Sequence, residues 1–464
     1  MRKADVAMSP LLSRRAVVGA GLALALTDLT RARGGEANAQ GATTLEAAPK
    51  ALRLAPEPAK DASLFAYGAS IPGPPLRKRI GETFSLRLVN ALPEPTSFAL
   101  LGASAPNAMD GVAPLTGPPL AAGASAELRF PARSAGLFAY RPLYAPLAAG
   151  QIGRGLFGAM IVDEERPPEV DGDLLAVVAD WRLAEDGTLD PDFAARPDAG
   201  RIGGLVSLGE SPAPLAVAGR PGARMRLRLV SACAARIFLA AFEGAAPTVL
   251  AIDGAPADSP FEPGRGAVPV GPGARFDLAF ALPASGEARL LMRGEGEADR
   301  PLVVFKVEGE PAPARGPIAP LPADPLLPTR IKLEAAKRAD FVVELAKAPG
   351  RGPDGTPLLW SVNGALNAPF AAGPLLSVKR GAPVVLNLVN RSPFAQQIHV
   401  RGHHFRLLHD LDDGWDPFWR DCLLLAPGRS KRVAFVAREE GRWAILSLIP
   451  DRFAAGLCAY FVVA

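Results

Sequence analysis

Two sequence elements that each recur three times along the 464-residue chain constrain the fold most strongly. The first element opens on glycine and then alternates apolar and polar residues, which is the period-two pattern of a half-buried β-strand. The second element runs from a glycine to a phenylalanine seven residues later and to another glycine six residues beyond that. The copies begin at Gly81, Gly222 and Gly381 for the first element and at Gly123, Gly273 and Gly428 for the second. Repetition at matched offsets predicts tandem domains of one kind.

Short alternating stretches between Gly- and Pro-rich turns indicate an all-β chain built of sandwiches or barrels. We expect three tandem domains, at residues 45–166, 172–310 and 331–464, with a Pro-rich linker at 311–330. Helical periodicity is scarce. The segment 333–347 carries some of it and is interpreted as a linker or a short helix.

Residues 1–39 are interpreted as an export signal. Arg14 and Arg15 precede an apolar run that ends at Leu26, and Ala37–Ala39 offers a small-residue cleavage site. The arginine pair resembles a twin-arginine signal, whose translocase delivers folded proteins to the periplasm. An ordinary secretory signal is the alternative. No later stretch reaches the roughly 18 apolar residues of a membrane helix, so we expect a periplasmic protein with no membrane span in its mature form.

Charge and cysteine usage exclude several classes of function. Lys and Arg number 51 against 47 Asp and Glu, well mixed, so no basic block predicts nucleic-acid binding. The widely spaced Cys233, Cys422 and Cys458 give no disulfide framework. We expect buried, unpaired thiols, with a single bridge as the alternative. The chain has no G-x-S-x-G, P-loop or H-E-x-x-H motif.

The four histidines all lie between His399 and His409. The stretch Gln396–Phe405 resembles the H-P-x-H-x-H-G-H signature of multicopper oxidases. Other family motifs are matched by Ala99–Gly102 (H-W-H-G), Tyr140–Leu143 (Y-H-P-H), Arg154–Gly158 (R-G-L-Y-G), Ala251–Gly254 (A-x-D-G) and Leu446–Arg452 (H-C-H-x-x-x-H). The resemblance spans nearly the whole mature chain and implies three cupredoxin-like Greek-key domains.

The resemblance also implies where the family would hold copper. Those positions carry Ala99, Leu101, Arg141, Leu143, Gln396, His399, Arg401, Leu446, Ser447, Leu448 and Arg452. The position of the axial methionine holds Leu457. Copper takes neutral imidazole or thiolate ligands, whereas a guanidinium stays protonated and has no free lone pair. We therefore expect no catalytic residue, no metal and no cofactor at these positions.

Charge pairs are expected where the ligands are missing. Asp110 and Asp451 match acidic family positions, and we expect them to pair with Arg141 and Arg401 across the joint of the first and third domains. Arginines that point to solvent are the alternative. The apolar part of this expected clamp consists of Leu101, Leu143, Leu446 and Leu448.

The remaining histidines have ordinary interpretations. His403 matches a family histidine that is not a ligand, and His404 is expected on the opposite face of a strand. His409 is interpreted as part of a solvated acidic loop, with a weak adventitious metal site as the alternative. The acidic residues beside it are Asp410, Asp412 and Asp413.

The sequence thus predicts a multicopper-oxidase-like protein that has lost its type 1 and trinuclear copper sites. We expect a non-catalytic scaffold or binding protein of the cell envelope with an envelope protein as partner. The subgroup that it resembles comprises copper-free members exported by the twin-arginine route, some of them linked to cell division. The alternative is an active copper-dependent oxidoreductase of the same family.

Overall fold

The computed structural model describes residues 42–190, 198–294, 298–412 and 414–464. The predicted export signal at residues 1–39 lies outside these ranges. Within them the chain is built almost entirely of β-strands, which confirms the predicted fold class. No helix among the described residues is both long and apolar enough to cross a membrane.

The strands form three successive groups along the chain. The first group comprises β1 (Thr43–Leu52), β2 (Ala62–Tyr67), β3 (Gly73–Arg79), β4 (Thr83–Asn90), β5 (Ala99–Leu101), β6 (Val112–Ala113), β7 (Ser125–Pro131), β8 (Gly136–Arg141), β9 (Leu143–Tyr144), helix α1 (Ala145–Gly153) and β10 (Gly158–Asp163). The second comprises β11 (Gly172–Trp181), β12 (Leu205–Leu208), β13 (Ser211–Pro212), β14 (Leu215–Gly219), β15 (Arg224–Ser231), β16 (Phe238–Glu243), β17 (Thr248–Ile252), β18 (Ala255–Phe261), β19 (Ala267–Val270), β20 (Arg275–Ala281), β21 (Glu287–Arg293) and β22 (Arg300–Val307). The third comprises β23 (Lys337–Arg351), β24 (Pro357–Val362), β25 (Ala365–Leu366), β26 (Ser377–Val378), β27 (Pro383–Asn390), β28 (Gln396–Val400), β29 (Arg406–Leu407), β30 (Cys422–Leu425), β31 (Ser430–Val436), β32 (Gly441–Ser447), helix α2 (Pro450–Ala454) and β33 (Cys458–Val463). Short 3-10 helices lie at Asn107–Met109, Gly264–Gly266 and Leu333–Ala335.

Each group forms two main sheets whose central strands follow the same order. The first sheets contain the runs β1-β4-β7, β11-β15-β20 and β23-β27-β31. The second sheets contain the runs β10-β8-β5, β22-β21-β16 and β33-β32-β28. In every first sheet the repeated Gly-led strand pairs in parallel with the group's opening strand and antiparallel with the next repeated strand. The sequence repeat is therefore a repeat of topology.

Alternation of side chains explains why the repeated stretches are strands. In β4 the buried residues Phe84, Leu86 and Leu88 alternate with more exposed neighbours. Asn90 and Asn390 end equivalent strands and hold the turns that follow. Each side-chain amide donates to a carbonyl four residues on, at 2.9 and 2.8 Å, and each accepts an N–H two residues on. These local bonds supply partners that the turn backbone would otherwise lack.

The interpretation of residues 333–347 as a linker or short helix is wrong. Only the 3-10 turn Leu333–Ala335 is helical, and β23 begins at Lys337. Phe341 and Val343 are buried on one face of β23, which pairs in parallel with β27. Pairing within the sheet thus overrides a weak helical pattern, because strand preference depends on neighbouring strands more than on local sequence.

The largest apolar cluster of the structure crosses the boundaries between the three groups. It contains Leu101 and Leu143 from the first group, Leu229 from the second, and Leu446 and Leu448 from the third. Helix α1 also packs against α2, which joins the first group to the third. We call this shared region the joint. The three cysteines are free and buried, which confirms that prediction.

Candidate functional site at the joint

The strand pattern carries the residues at the predicted ligand positions into the joint. Ala99 on β5 lies opposite Arg141 at the end of β8. His399 on β28 lies opposite Leu446 on β32. The rest follow on the same or adjoining elements: Leu101 on β5, Leu143 on β9, Gln396 on β28, Arg401 and Leu448 just after strands, Ser447 on β32 and Arg452 on α2. All of these side chains are buried.

Apolar side chains fill much of the joint. Leu101, Leu143, Leu446 and Leu448 are fully buried and belong to the shared apolar cluster. Gly273 of the second group approaches them closely, because a β-carbon there would lie 3.0 Å from Leu101 Cδ2 and 3.0 Å from Leu448 Cδ1. Gly273 also has a φ of 75°, which favours glycine. Three parts of the chain therefore meet here in van der Waals contact.

Arg401 and Asp110 form a buried ion pair across the joint. Arg401 donates through Nη2 to Asp110 Oδ1 at 2.5 Å and through Nε to Oδ2 at 3.2 Å. A further bond runs from Nη2 to the Asp110 carbonyl at 2.9 Å. Burial raises the pKa of Asp110, and the attraction of Arg401 opposes that shift. The predicted pairing of Arg401 with Asp110 is therefore present. The alternative, an arginine that points to solvent, is wrong for Arg401.

Arg141 is equally buried but has no carboxylate partner among the described residues. Its Nη2 donates to the Leu448 carbonyl at 2.9 Å, whereas Nε and Nη1 have no hydrogen-bond partner in the described part of the chain. Burial, together with the nearby cations Arg401 and Arg275, lowers the pKa of Arg141 to about 9. Its expected pairing with an acidic residue is therefore not found.

Asp451 lies in the joint and pairs with a residue that the sequence did not suggest. Arg201 of the second group donates through Nε to both carboxylate oxygens of Asp451, at 3.1 and 3.2 Å. Both side chains are nearly inaccessible to solvent. The pair connects the loop before β12 to α2, so it ties the second group to the third.

Three of the polar residues at matched ligand positions, Gln396, Ser447 and Arg452, are hydrogen-bonded to protein groups, and two of them to each other. Arg452 Nη1 donates to Gln396 Oε1 at 2.8 Å, and Gln396 Nε2 donates to the Ser392 hydroxyl at 3.0 Å. The Ser447 hydroxyl accepts the backbone N–H of Ile449 at 3.2 Å. Burial lowers the pKa of Arg452 to about 10. Its remaining contacts are the carbonyls of Asp198 and Ala395 and the rings of Trp360 and Phe394.

A second polar cluster beside the joint was missed by the sequence reasoning. Arg275 forms an ion pair with Asp421 and donates to the Asp253 carbonyl at 3.0 Å. The Cys422 thiol donates to Asp253 Oδ2 at 3.2 Å. The available signal was an arginine inside the second repeated element, two residues after Gly273. Because Asp253 and Arg275 belong to the second group and Asp421 to the third, the cluster joins those two groups.

This cluster has the donor types of a metal site but already contains a cation. One potential ligand atom from each of Asp253, Asp421 and Cys422 lies within 4.8 Å of the others. Arg275 occupies the space between the carboxylates. Burial and the two neighbouring carboxylates raise the pKa of the Cys422 thiol well above its usual range, so the thiol stays protonated. The arrangement therefore stabilises a guanidinium.

His399 is the one imidazole at the predicted ligand positions. Its Nε2 lies 3.3 Å from Asp421 Oδ2, but neither ring nitrogen makes a well-aligned hydrogen bond with the described residues. Burial lowers the pKa of His399 to about 4, against the opposing attraction of Asp421. The ring is therefore neutral at physiological pH.

The other three histidines do not converge on the joint. His403 and His404 follow the end of β28, so the expectation that they lie in a strand is wrong. Their side chains nevertheless have different surroundings, because His403 packs against the rings of Phe435, Trp443 and Phe461. His404 Nε2 contacts the Asp253 carbonyl at 2.9 Å. His409 is exposed, and its Nδ1 lies 3.1 Å from Asp412 Oδ1. Asp413, which was expected beside it, lies outside the described residues.

The side chains at the joint do not fit copper. Type 1 copper requires two imidazoles and a thiolate, and clustered copper requires further imidazoles. Among the matched positions only His399 offers such a donor. The hydrogen bond of 2.8 Å between Gln396 and Arg452 directly links two positions that would each have to face the metal. Arg141 and Arg401 add positive charge where a cation would bind.

Comparison with known proteins agrees with this architecture. Sequence profiles described as multicopper oxidase match residues 51–167 and 341–464, together more than half of the chain. The chain belongs to the multicopper oxidase family.

Individual relatives align over nearly the full described length. Multicopper oxidase MmcO of Mycobacterium tuberculosis is 25% identical, over 93% of this chain and 92% of its own. The crystal structure of a multi-copper oxidase from Pseudomonas thermotolerans is 28% identical with a TM-score of 0.79, covering 91% of this chain and 98% of its own. Lac15 from a marine microbial metagenome is 26% identical with a TM-score of 0.73, covering 91% and 100%.

Replacing Arg401 with alanine is expected to lower the free energy of unfolding by about 3–5 kcal/mol, because Asp110 is then buried without its cation. Urea denaturation of Arg401→Ala, Asp110→Ala and the double variant measures this loss. The double variant is expected to lose less than the sum of the single variants, since they share one pair. Exposed Arg380 supplies the control, for which we expect a change within about 0.5 kcal/mol. Equal stability of Arg401→Ala and Arg380→Ala contradicts the prediction.

His403 is expected to make stability depend on pH. Its Nδ1 donates to the Arg401 carbonyl at 2.9 Å, and its Nε2 accepts the Arg438 backbone N–H at 3.1 Å. Only the neutral ring can make both bonds, and burial lowers the pKa of His403 to about 3. The unfolded chain binds a proton near pH 6.5, whereas the folded chain does so only near pH 3. Stability is therefore lost as pH falls below 6.5, by about 1.4 kcal/mol per pH unit.

Denaturant unfolding at pH 7.5 and pH 5 tests this expectation. Over that interval His403 is expected to contribute about 2 kcal/mol of lost stability, and His403→Gln removes that share. Carboxyls with raised pKa values, such as Asp110 and Asp253, contribute the opposite slope. The difference between wild type and variant is therefore the measured quantity. The exposed His409→Gln is the control, and identical pH responses for the two variants would refute a role for His403.

Proposed function

We propose that this member of the multicopper oxidase family binds no copper and acts as a non-catalytic scaffold or binding protein in the periplasm. The observation that carries the proposal is that side chains at the positions matched to copper ligands are bonded to protein groups or packed together. Gln396 and Arg452 are hydrogen-bonded, Arg401 is paired with Asp110, and the leucines pack together. The resemblance to copper-free division proteins of this fold supports a role in the cell envelope.

The alternative is a copper-dependent oxidoreductase, the activity indicated by the names of the relatives. That activity requires several imidazoles that converge on one point. In the described part of the chain, His399 is the one imidazole at a matched position. The family fold alone does not carry the family chemistry, because function resides in the side chains of the site.

One concave surface supports a binding role. A cleft of about 470 Å³ lies between the second and third groups and is lined mainly by apolar side chains, among them Phe261, Phe276 and Phe418. Gln397 and Arg420 add polar groups to its wall. Apolar clefts of this size with few polar groups are common ligand sites. A partner that inserts an apolar group between the two domains is therefore consistent with the proposal.

The purified mature protein is expected to contain far less than one copper per chain after expression in copper-supplemented medium, because the joint lacks the required donors. Elemental analysis measures this directly. The absorption spectrum should lack the blue band of a copper–thiolate bond, and the protein should not oxidise phenols or diamines. The related Pseudomonas thermotolerans oxidase, prepared in parallel, is the positive control. Three or four coppers per chain would overturn the proposal.

Export is expected to depend on Arg14 and Arg15. Replacing both with lysine should leave unprocessed precursor in the cytoplasm, because the twin-arginine translocase reads the arginine pair itself. Cell fractionation with detection of the chain measures its location. The matched control replaces Arg31 and Arg33, which follow the apolar run, with lysine and should leave export unchanged. Normal export of the Arg14/Arg15 variant indicates the general secretory route instead.

A further inference from the structure

Arg452 in the joint is buried with its guanidinium hydrogen-bonded to three protein oxygens. Three further buried guanidinium groups, those of Arg141, Arg275 and Arg401, lie in the joint or in the polar cluster beside it. Arg141, Arg275 and Arg401 are 3%, 0% and 0% exposed. Arg141 and Arg275 both approach Gly273: a β-carbon there would lie 3.8 Å from Arg141 Cζ, and Arg275 Nη1 donates to the Gly273 carbonyl at 2.7 Å. Isolated charges are rarely found in protein interiors, because removing them from water costs several kcal/mol each. Each of these cations is therefore expected to have a negatively charged group nearby.

Two of the three cations have a carboxylate. Arg401 pairs with Asp110, and Arg275 pairs with Asp421. The further carboxylate, Asp253, lies 3.8 Å from Arg275. Arg420 has a carboxylate of its own, Asp416, at 3.4 Å. None of the described carboxylates forms an ion pair with Arg141.

Arg141 is left with a single carbonyl partner. Its Nε and Nη1 are buried without a hydrogen-bond partner in the described chain. Arg275 Nε and Arg401 Nη1 are likewise unpartnered and buried. Because its pKa is about 9, Arg141 remains charged at neutral pH. Water can satisfy its N–H groups but cannot neutralise its charge.

We propose that the joint binds one small monovalent anion, such as chloride, against the free N–H groups of Arg141. The bound anion places a negative charge against Arg141, with which no described carboxylate forms an ion pair. The family's cation site is then replaced by an anion site at the same place in the fold. The inference rests on the copper-free joint proposed above, since a cluster of copper ions and a cluster of buried guanidinium groups exclude each other.

Crystals of the mature protein grown with sodium bromide in place of chloride test the site directly. Bromide is the probe because its anomalous scattering distinguishes it from water. We expect an anomalous peak within hydrogen-bonding distance of Arg141 Nε or Nη1. Water at that point with no anomalous signal overturns the inference, and this experiment needs no variant that might fail to fold.

A solution experiment tests the same site through stability. Thermal unfolding is followed from 0 to 500 mM chloride, with sodium gluconate holding ionic strength at about 0.5 M, since a buried site excludes so large an anion. The wild-type midpoint should rise with chloride as one anion binds the folded state. Arg141→Gln should lose the rise. The control Arg452→Gln should keep it, because Arg452 is buried but hydrogen-bonded to protein oxygens.

Equal chloride responses in wild type and Arg141→Gln overturn the inference. Copper analysis of the same samples separates it from the proposed function. Stoichiometric copper refutes the copper-free proposal. Absence of copper together with absence of bromide leaves that proposal intact and refutes the anion site alone.

Discussion

The cost of burying a guanidinium group is the physical constraint on which the joint of this protein depends. Arginine cannot lose its proton at physiological pH as a buried lysine or histidine can, so a buried guanidinium needs an anionic group placed beside it. Arg401 and Arg275 each form an ion pair with a carboxylate from a neighbouring domain. The domains are therefore held in register by pairs whose members come from different parts of the chain, and separating the domains would leave each charge without its partner.

Apolar packing and ion pairing contribute different properties to the joint. The leucines at former ligand positions contribute non-directional burial, which stabilises contact without specifying an orientation. The bidentate bonds between Arg401 and Asp110 are directional and fix the relative position of the first and third domains. Gly273 brings the second domain into the apolar packing, because its missing side chain lets Leu101 and Leu448 approach the backbone. Cohesion and direction in this joint are thus supplied by separate groups.

The features that the sequence predicted well are those with a local cause. The alternation in β4 and the fixed glycine offsets reflect strand geometry that each repeat contains within itself. In β15 the polar face is buried too, because Arg226 and Arg228 form ion pairs with carboxylates of neighbouring strands and loops. The poor match of this chain's residue types to copper was also apparent from the sequence, because residue type alone decides whether a side chain can donate to copper. Arg201 as the partner of Asp451 could not be read this way, since it depends on how the second domain docks. For the same reason the Arg275 cluster was missed, although each of its residues stands plainly in the sequence.

The bond between Gln396 and Arg452 has a consequence for the history of such a site. If Arg452 alone became histidine, the Gln396 side-chain oxygen and the carbonyls of Asp198 and Ala395 would each lose a donor. Buried acceptors without donors destabilise a fold, and one imidazole gains no metal in return. This single step toward a metal centre therefore passes through a less stable protein. The hydrogen bonds of Arg452 therefore oppose the return of a histidine to this position.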